Sequence, residues 1–401
     1  MRSNYKRIGD YVTLLKLKNT DGFISLLKGI NINKHFMPSV ANINGTDLST
    51  YQVVNKNQFA FNPMHVGRDE VLPISMLEDD ELIIVSPAYV VFEVKDEEEL
   101  LPEYLMMWCR RSEFDRNAWF MTDNSVRGGF SWADFCDMEM PIPSIEKQRE
   151  IVREYKVVSE IIILNEQIIQ KLECATHAIY KQWFVDFEFP ISKEYSKSIG
   201  KPELEGKPYK SCGGQMIDCD ELDIKIPKEW RTVELGTLAD IKVGGDRPNL
   251  VSDSVSDDYS IPIYANSTEN EGLYGYTDKA KILDKSITVS ARGAIIGYTV
   301  LRLEPFFPIV RLIVVTPENQ KLLNYLFESI KQFRFDSAAS AQGQLTAPDM
   351  KGRRILLPSL YVSNIYQEIT ASVIKKIMIK KEQNKALIKL LKILQQRMSM
   401  E

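Results

Sequence analysis

The sequence has few of the residues and motifs that mark a catalytic or metal-binding centre. Its three histidines and five cysteines show neither the spacing of a metal site nor a CxxC pair. The phosphate loop GxxxxGK[ST], the zinc motif HExxH and the nucleophile motif GxSxG are all missing. These absences argue against a nucleotide hydrolase, a zinc hydrolase and a serine hydrolase. We therefore expect neither catalytic residues nor a metal site in this chain.

The sequence also lacks an apolar run of the roughly 18 residues that span a bilayer, and no hydrophobic signal-peptide core follows its first residues. Five cysteines are an odd set, which favours reduced thiols. A formal net charge of −5 excludes a protein coated in positive charge but allows local basic grooves. These features predict a cytoplasmic protein with no membrane partner, and 401 residues predict two or more domains.

Glycine and proline are both absent from Ser144–Asp186, and Ser144 is placed to cap a helix. As one helix, this stretch would be roughly 60 Å long, more than a compact domain needs. Its apolar or small residues, together with Asn165, are spaced by alternating steps of four and three residues, which is typical of a heptad seam. The apolar or small residues are Ile151, Tyr155, Val158, Ile162, Ile169, Leu172, Thr176, Ile179 and Trp183.

A second stretch without glycine or proline, Ile365–Arg397, has the same pattern. Asn384 is its single polar seam residue, as Asn165 is in the first stretch, and a polar seam residue often fixes the register of a helix pair. This second stretch is rich in lysine, whereas the first is mixed and slightly acidic. The pattern predicts two long helices that pack antiparallel as a coiled-coil rod. The alternative is two unrelated surface helices.

The two halves of the chain repeat short motifs in the same order. Pro102–Leu105 with Phe114-Asp115 recurs as Leu323–Leu326 with Phe335-Asp336, and Gly128 to Ser144 recurs as Gly343 to Ser359. Both copies lead into a long helix, which indicates a tandem duplication. The predicted fold is α+β, with two similar α/β domains separated by the two helices. Its boundaries are domain 1 at 1–143, the first helix at 144–187, a connector and domain 2 at 188–358, and the second helix at 359–401.

Residues suited to nucleic-acid contact lie in loop-like segments just before the long helices. Arginine commonly contacts guanine, asparagine and glutamine contact adenine, and glycine lets the backbone approach phosphate. Such residues occur in pairs or runs around Asn266-Ser267 and Ser290–Gly293 as well. The predicted DNA contacts are Arg68, Arg127, Arg292, Gln342 and Gln344.

Two fragments of enzyme motifs leave a second hypothesis open. Asn62-Pro63-Met64 is a partial match to the NPP-type motif of amino-methyltransferases, and Pro348-Asp349 with Lys351 is a partial match to a nuclease motif. A strand-end turn and a helix cap are the simpler interpretations. The alternative function is a DNA methyltransferase or nuclease with its own active site.

Together these motifs resemble the specificity subunit of type I restriction–modification enzymes over nearly the whole chain. The resemblance rests on Phe59–Met64 with Gly67-Arg68, Ser86–Tyr89, Leu101–Leu105, Ser125–Gly128, Met140–Pro143, Gln148–Val152, Trp183–Phe187, Ile261–Tyr264, Ser290–Gly293, Phe306–Pro308 and Leu345-Thr346. One departure is that Tyr361–Tyr366 lacks the usual Pro-x-x-x-Gln run.

The resemblance implies two target-recognition domains that each read one half of a split double-stranded DNA target. It implies that the helices set the spacing and dock two modification subunits, which we expect on the outer helix faces and near Trp183-Phe184. It also implies that S-adenosylmethionine belongs to the modification subunits, and that ATP and Mg²⁺ belong to restriction subunits. No cofactor is implied for this chain.

Overall fold

The computed structural model describes residues 4–39, 46–64, 66, 70–122, 129–335 and 344–398. The chain divides into two compact units. Unit 1 comprises Met1–Glu166 with Lys381–Glu401, and unit 2 comprises Gln167–Lys380. Each unit contains an α/β domain and one part of each long helix.

The described residues of unit 1 form short strands and short helices. The strands are β1 Tyr5–Arg7, β2 Val12–Leu15, β3 Lys28–Ile30, β4 Phe36–Pro38, β5 Gln52–Val54, β6 Phe59–Phe61, β7 Ile74–Met76, β8 Ile83–Val85, β9 Val90–Val94 and β10 Glu139–Pro141. The helices are α1 Pro102–Cys109, α2 Ser112–Phe120 and α3 Trp132–Asp137. A four-stranded sheet in the order β2-β9-β6-β7 forms one wall of the core, and β1 pairs with β10. Aromatic rings from β6, β9 and α3 pack together in that core.

Unit 2 contains the remaining strands. They are β11 Met216–Cys219, β12 Ile224–Pro227, β13 Arg231–Glu234, β14 Ala239–Val243, β15 Ile261–Tyr264, β16 Leu273–Thr277, β17 Ser286–Val289, β18 Thr299–Arg302, β19 Phe307–Pro308, β20 Ile313–Pro317 and β21 Arg354–Leu357. The main sheet has the order β14-β20-β17-β18, β13 pairs with β21, and β16-β15-β19 form a second sheet. The short helices that follow the long helix α4, Ile145–Tyr180, are α5 Lys193–Ser198, α6 Leu323–Lys331 and α7 Ala347–Lys351.

The internal repeat is visible in this topology. The sheet β2-β9-β6-β7 of unit 1 has its counterpart in β14-β20-β17-β18 of unit 2, and the β1–β10 pair has its counterpart in β13–β21. Helices α3 and α7 both begin with a capping box, formed by Ser131 with Asp134 and by Thr346 with Asp349. The hydroxyl of Tyr104 donates to a carbonyl of β10, and Tyr325 does the same to Leu356 of β21. The predicted fold class, two similar α/β domains with two long helices, is confirmed.

The long helices are α4 Ile145–Tyr180, extended by a π-helical turn at Lys181–Val185, and α8 Leu360–Arg397. Helix α8 begins five residues before the Ile365 start taken from its heptad pattern. In unit 1, Glu154 of α4 pairs with Arg397 of α8, and Asn165 pairs with Asn384. Residue numbers therefore increase along α4 while those of the facing residues decrease along α8, so the helices are antiparallel. The predicted seam residues are buried or half-buried in both helices, whereas most of their neighbours are exposed.

The predicted connector after α4 is folded, contrary to the polar character of its sequence. Phe189 stacks on Trp230 with ring centroids 4.9 Å apart and on Tyr209 at 4.6 Å. Strands β11 and β12 form a hairpin in the same segment. A few well-spaced aromatic rings suffice to anchor this segment in the core of unit 2.

Candidate nucleic-acid interface

Two of the five predicted DNA-contact residues, Arg292 and Gln344, meet in unit 2. Nη2 of Arg292 donates a hydrogen bond to Oε1 of Gln344, with 3.1 Å between the two atoms, and the two residues form an isolated β-bridge. Arg292 is exposed and directly precedes the short 3₁₀ turn Gly293–Ile295 between β17 and β18. The other three predicted contacts, Arg68, Arg127 and Gln342, lie outside the described residues.

Asn266 fixes the backbone beneath this arginine. Its Oδ1 accepts from the N–H of Ala291 at 2.6 Å, and its Nδ2 donates to the carbonyl of Arg292 at 3.3 Å. The N–H of Leu345 donates to the carbonyl of Ala291 at 2.9 Å, which ties the segment before α7 to the same loop. These bonds hold Arg292, Gln344 and Asn266 together at an exposed edge of unit 2.

Unit 1 contains the equivalent junction. The N–H of Phe130 donates to the carbonyl of Pro63 at 2.9 Å, as Leu345 does to Ala291. Pro63 follows β6 as Ala291 follows β17, so the counterpart of Arg292 is Met64, a residue with 47% of its surface exposed. The side-chain Oδ1 of Asn62 accepts from the N–H of Met64 at 3.0 Å, which makes Asn62-Pro63-Met64 a strand-end turn.

A buried arginine that sequence analysis missed supports the loop that follows Asn266. The guanidinium carbon of Arg302 lies 3.5 Å from the ring centroid of Tyr264, and its Nε donates to Thr288 at 3.1 Å. Its Nη2 donates to the carbonyl of Glu271. Burial lowers the pKa of Arg302, against the opposing effect of Tyr264 and Glu271. A single arginine at a strand end gives no sequence signal for this role.

Arg302 holds a loop whose backbone is in an unusual conformation. Asn270 and Glu271 have φ values of 45° and 55°, in the left-handed region that side chains with a Cβ rarely adopt. Gly272 follows with φ 85°, and its carbonyl accepts from the N–H of Ala265 at 2.8 Å. The loop 265–272 is therefore fixed at both ends.

A second left-handed pair, Val310 and Arg311, lies between β19 and β20 with φ values of 52° and 57°. The turn fits against Gly244, where an added Cβ would lie 2.9 Å from both the nitrogen and the oxygen of Ile309. The sequence alone does not show which segment packs on Gly244.

Within the part of the chain that the structure describes, no three His, Cys, Asp or Glu side chains are grouped so that they could hold a metal ion. No helix of the described residues is long and apolar enough to cross a membrane.

Residues 227–392 match the family described as the type I restriction modification DNA specificity domain. A putative type I specificity subunit of Mycoplasma pneumoniae is 35% identical over 146 residues, which are 36% of this chain and 39% of that protein. The HindI specificity subunit of Haemophilus influenzae is 22% identical over 411 residues and 88% of both chains.

The resemblance to type I specificity subunits is confirmed. The crystal structure of a type I restriction–modification S subunit from M. genitalium covers 98% of this chain and 95% of its own, with a TM-score of 0.58 and 13% identity, which shows the shared fold. The chain matches about two fifths of the length of that M. pneumoniae subunit and of a second one from the same organism, 39% and 41%.

Proposed function

We propose that this chain is the sequence-specific DNA-binding subunit of a type I restriction–modification complex. Each α/β domain reads one half of a bipartite duplex target. The observation that carries this proposal is the repeated junction, Phe130 with Pro63 and Leu345 with Ala291, which places an exposed residue, Met64 or Arg292, at the same point in both domains. Duplex DNA with two separated half-sites is a ligand that suits two similar reading domains in one chain.

Reading in unit 2 is assigned to the side chains fixed at that junction. Arg292 carries the fork of donors that matches the acceptor pair of guanine in the major groove, and Gln344 carries an amide suited to adenine. Asn266 uses both ends of its amide on the backbone, so its role is to position Arg292. In unit 1, Arg68 and Arg127 remain the proposed contacts.

The long helices are proposed to set the spacer between the half-sites and to dock two modification subunits. Several apolar side chains on the helix faces away from the seam are exposed: Val157, Ile161, Leu164, Ile168, Ile379, Ile388, Leu390 and Ile393. The first four follow steps of four and three along α4, which is the spacing of a second helix-packing stripe. By contrast, Trp183 and Phe184 are buried in the core of unit 2, so their side chains are not available to a partner.

Methylation and cleavage are assigned to other chains. S-adenosylmethionine would bind to the modification subunits, and ATP and Mg²⁺ would bind to restriction subunits. Asn62-Pro63-Met64 does not support the competing hypothesis, a methyltransferase or nuclease with its own active site, because the Asn62 side chain accepts a hydrogen bond from the Met64 N–H in a turn.

The decisive experiment maps methylated bases in the source genome by single-molecule sequencing, with and without this gene. We expect one bipartite motif to lose its methylation when the gene is deleted and to regain it on complementation. Genomes with identical methylation would contradict the proposal. Calorimetric titration of the purified chain with S-adenosylmethionine separates the competing hypothesis, because a fused methyltransferase must bind it.

A further inference from the structure

The turn between β19 and β20 presents two side chains from a strained backbone. Val310 and Arg311 both have positive φ, and a β-branched residue in that region is a genuine conformational outlier. Such strain persists only where the surrounding structure fixes it, and it is concentrated at functional sites. Both side chains are nevertheless directed to the surface: Val310 has 51% of its surface exposed, and Arg311 is exposed as well.

Backbone hydrogen bonds hold this turn from both sides. The N–H groups of Val310 and Arg311 donate to the carbonyls of Gly245 at 2.9 Å and Gly244 at 3.0 Å. The N–H of Gly244 donates in return to the carbonyl of Leu312 at 2.8 Å. The turn, including its exposed tip, is therefore held in one conformation.

The tip lies at the same edge of unit 2 as the loop that positions Arg292. Strands β15 and β19 are parallel, with Tyr264 opposite Pro308. The residues that follow them, Asn266 and Val310, therefore leave the sheet at the same end. Asn266 is the residue that bonds the backbone of Ala291 and Arg292.

We propose that Val310 and Arg311 form a second base-reading contact of unit 2. The guanidinium of Arg311 donates to the O6 and N7 acceptors of a guanine, and the methyl groups of Val310 pack against the methyl group of a neighbouring thymine in the major groove. A rigid turn suits this role, because side chains already held in place lose little conformational freedom on binding. The inference rests on the proposed function and names two further residues that determine its specificity.

The left-handed backbone allows substitutions that keep the fold. Glycine and asparagine adopt positive φ readily, so Val310→Gly and Arg311→Asn remove the side chains without forcing the turn to move. Arg231→Ala is the matched control, because Arg231 is an exposed arginine on β13 of the same unit. Melting temperatures of the variants at or above that of the wild type would confirm that the fold is retained.

The test selects bound duplexes from a random-sequence DNA library with the full chain assembled with the modification subunits of its source. We expect the wild type to select a bipartite sequence. Val310→Gly and Arg311→Asn should each relax preference within one half-site by about tenfold, and leave the other half-site unchanged. Arg231→Ala should select the wild-type sequence.

Modified bases then identify the contact. Replacing the thymine by deoxyuridine removes only its methyl group, so it should weaken the wild type and leave Val310→Gly unaffected. A deazaguanine lacking N7 should likewise weaken the wild type but not Arg311→Asn. Variants that select the wild-type sequence, or that lose affinity equally for all sequences, would overturn the inference while the proposed function stands. A wild-type complex that selects no sequence would contradict the proposed function itself.

Discussion

Asn165 donates a hydrogen bond from Nδ2 to Oδ1 of Asn384 at 2.8 Å, and both side chains are buried in the seam between α4 and α8. Asn384 also donates to the carbonyl of Ile162 at 3.4 Å. The two asparagines occupy equivalent positions of the internal repeat, so the helices meet at this point through a pair of identical amides. A buried amide pair is satisfied only in one register, because a shift of either helix would leave both amides in apolar surroundings.

Replacing one asparagine by leucine should therefore destabilise the seam, whereas replacing both should stabilise it. Asn165→Leu leaves the Asn384 amide without its partner, at a cost of about 1–3 kcal/mol. The double variant Asn165→Leu/Asn384→Leu has a fully apolar seam, so its melting temperature should exceed that of the wild type. A single variant as stable as the wild type would show that the amide pair contributes nothing.

The same double variant should lose its unique register. Cysteines placed at Glu154 and Arg397, whose side chains pair at 3.6 Å, report the native register through a short bismaleimide crosslinker. The exposed Cys174 is first replaced by serine to prevent side reactions. We expect one intramolecular crosslink with the native asparagines and a reduced yield without them. Crosslinks formed only between chains would contradict the antiparallel pairing.

The length of the helices should determine the length of the DNA spacer. Inserting four residues, about one turn, into both helices beside Asn165 and Asn384 adds roughly 6 Å to each helix. Since one strand of B-DNA rises about 3.4 Å per base, the spacer should lengthen by one or two base pairs. Both half-site sequences should stay the same, because no reading loop is changed. The measurement is the methylated motif in cells that express the variant.

An insertion in only one helix is the control for that experiment. This insertion shifts the seam residues of one helix relative to those of the other and places Asn165 and Asn384 out of register. It should therefore abolish methylation. If the double insertion retained the original spacer, the helices would connect the domains without measuring the distance between half-sites.

Arg292→Ala should cost about 1–3 kcal/mol in specific DNA binding and relax one position of one half-site. Arg292→Lys should not restore specificity, because a lysine lacks the planar pair of donors. Gln344→Ala should also relax the position that Arg292 reads, since Gln344 holds the Arg292 guanidinium at 3.1 Å in the free protein. Binding to a randomised panel of duplexes distinguishes these results from a phosphate contact, which would weaken all sequences equally.

Gln148→Ala should loosen unit 1 more than Gln367→Ala loosens unit 2. The Gln148 side chain is fully buried; it accepts from the N–H of Leu101 at 2.9 Å and donates to the carbonyls of Glu99 and Pro143. Among the described residues, Gln367 has one such bond, which it accepts from the N–H of Asn324 at 3.0 Å. Hydrogen exchange resolved by segment should show faster exchange at the start of α1 in the first variant and a smaller change at α6 in the second. Equal changes would contradict the comparison.

The parts of the fold that were predictable from sequence are those with a regular period. The seam around Asn165 and Asn384 follows from steps of four and three, and a long period without glycine or proline leaves little choice of structure. Residue type and proximity to a repeated motif also singled out Arg292 and Gln344, which the structure brings together, and their contact with DNA stays a prediction. Neither observation required knowledge of distant contacts.

The features that sequence analysis missed depend on contacts between distant segments. Nothing in the sequence indicates that Arg302 stacks on Tyr264 or that Val310 has positive φ, since both depend on how separate strands meet. The folded connector was missed for the same reason. Its rings at Phe189 and Tyr209 are far apart in a polar sequence and become a core only when stacked.

The difference between Met64 and Arg292 makes the two domains chemically non-equivalent. These residues occupy the same place in the two domains, yet one offers a flexible apolar thioether and the other a fixed cation with several donors. Domains that share one architecture thus carry unlike chemical groups at the proposed DNA interface. If both domains read one duplex, as we propose, the two half-sites differ, so the complex binds the duplex in a single orientation, and a palindromic sequence would satisfy only one of the two domains.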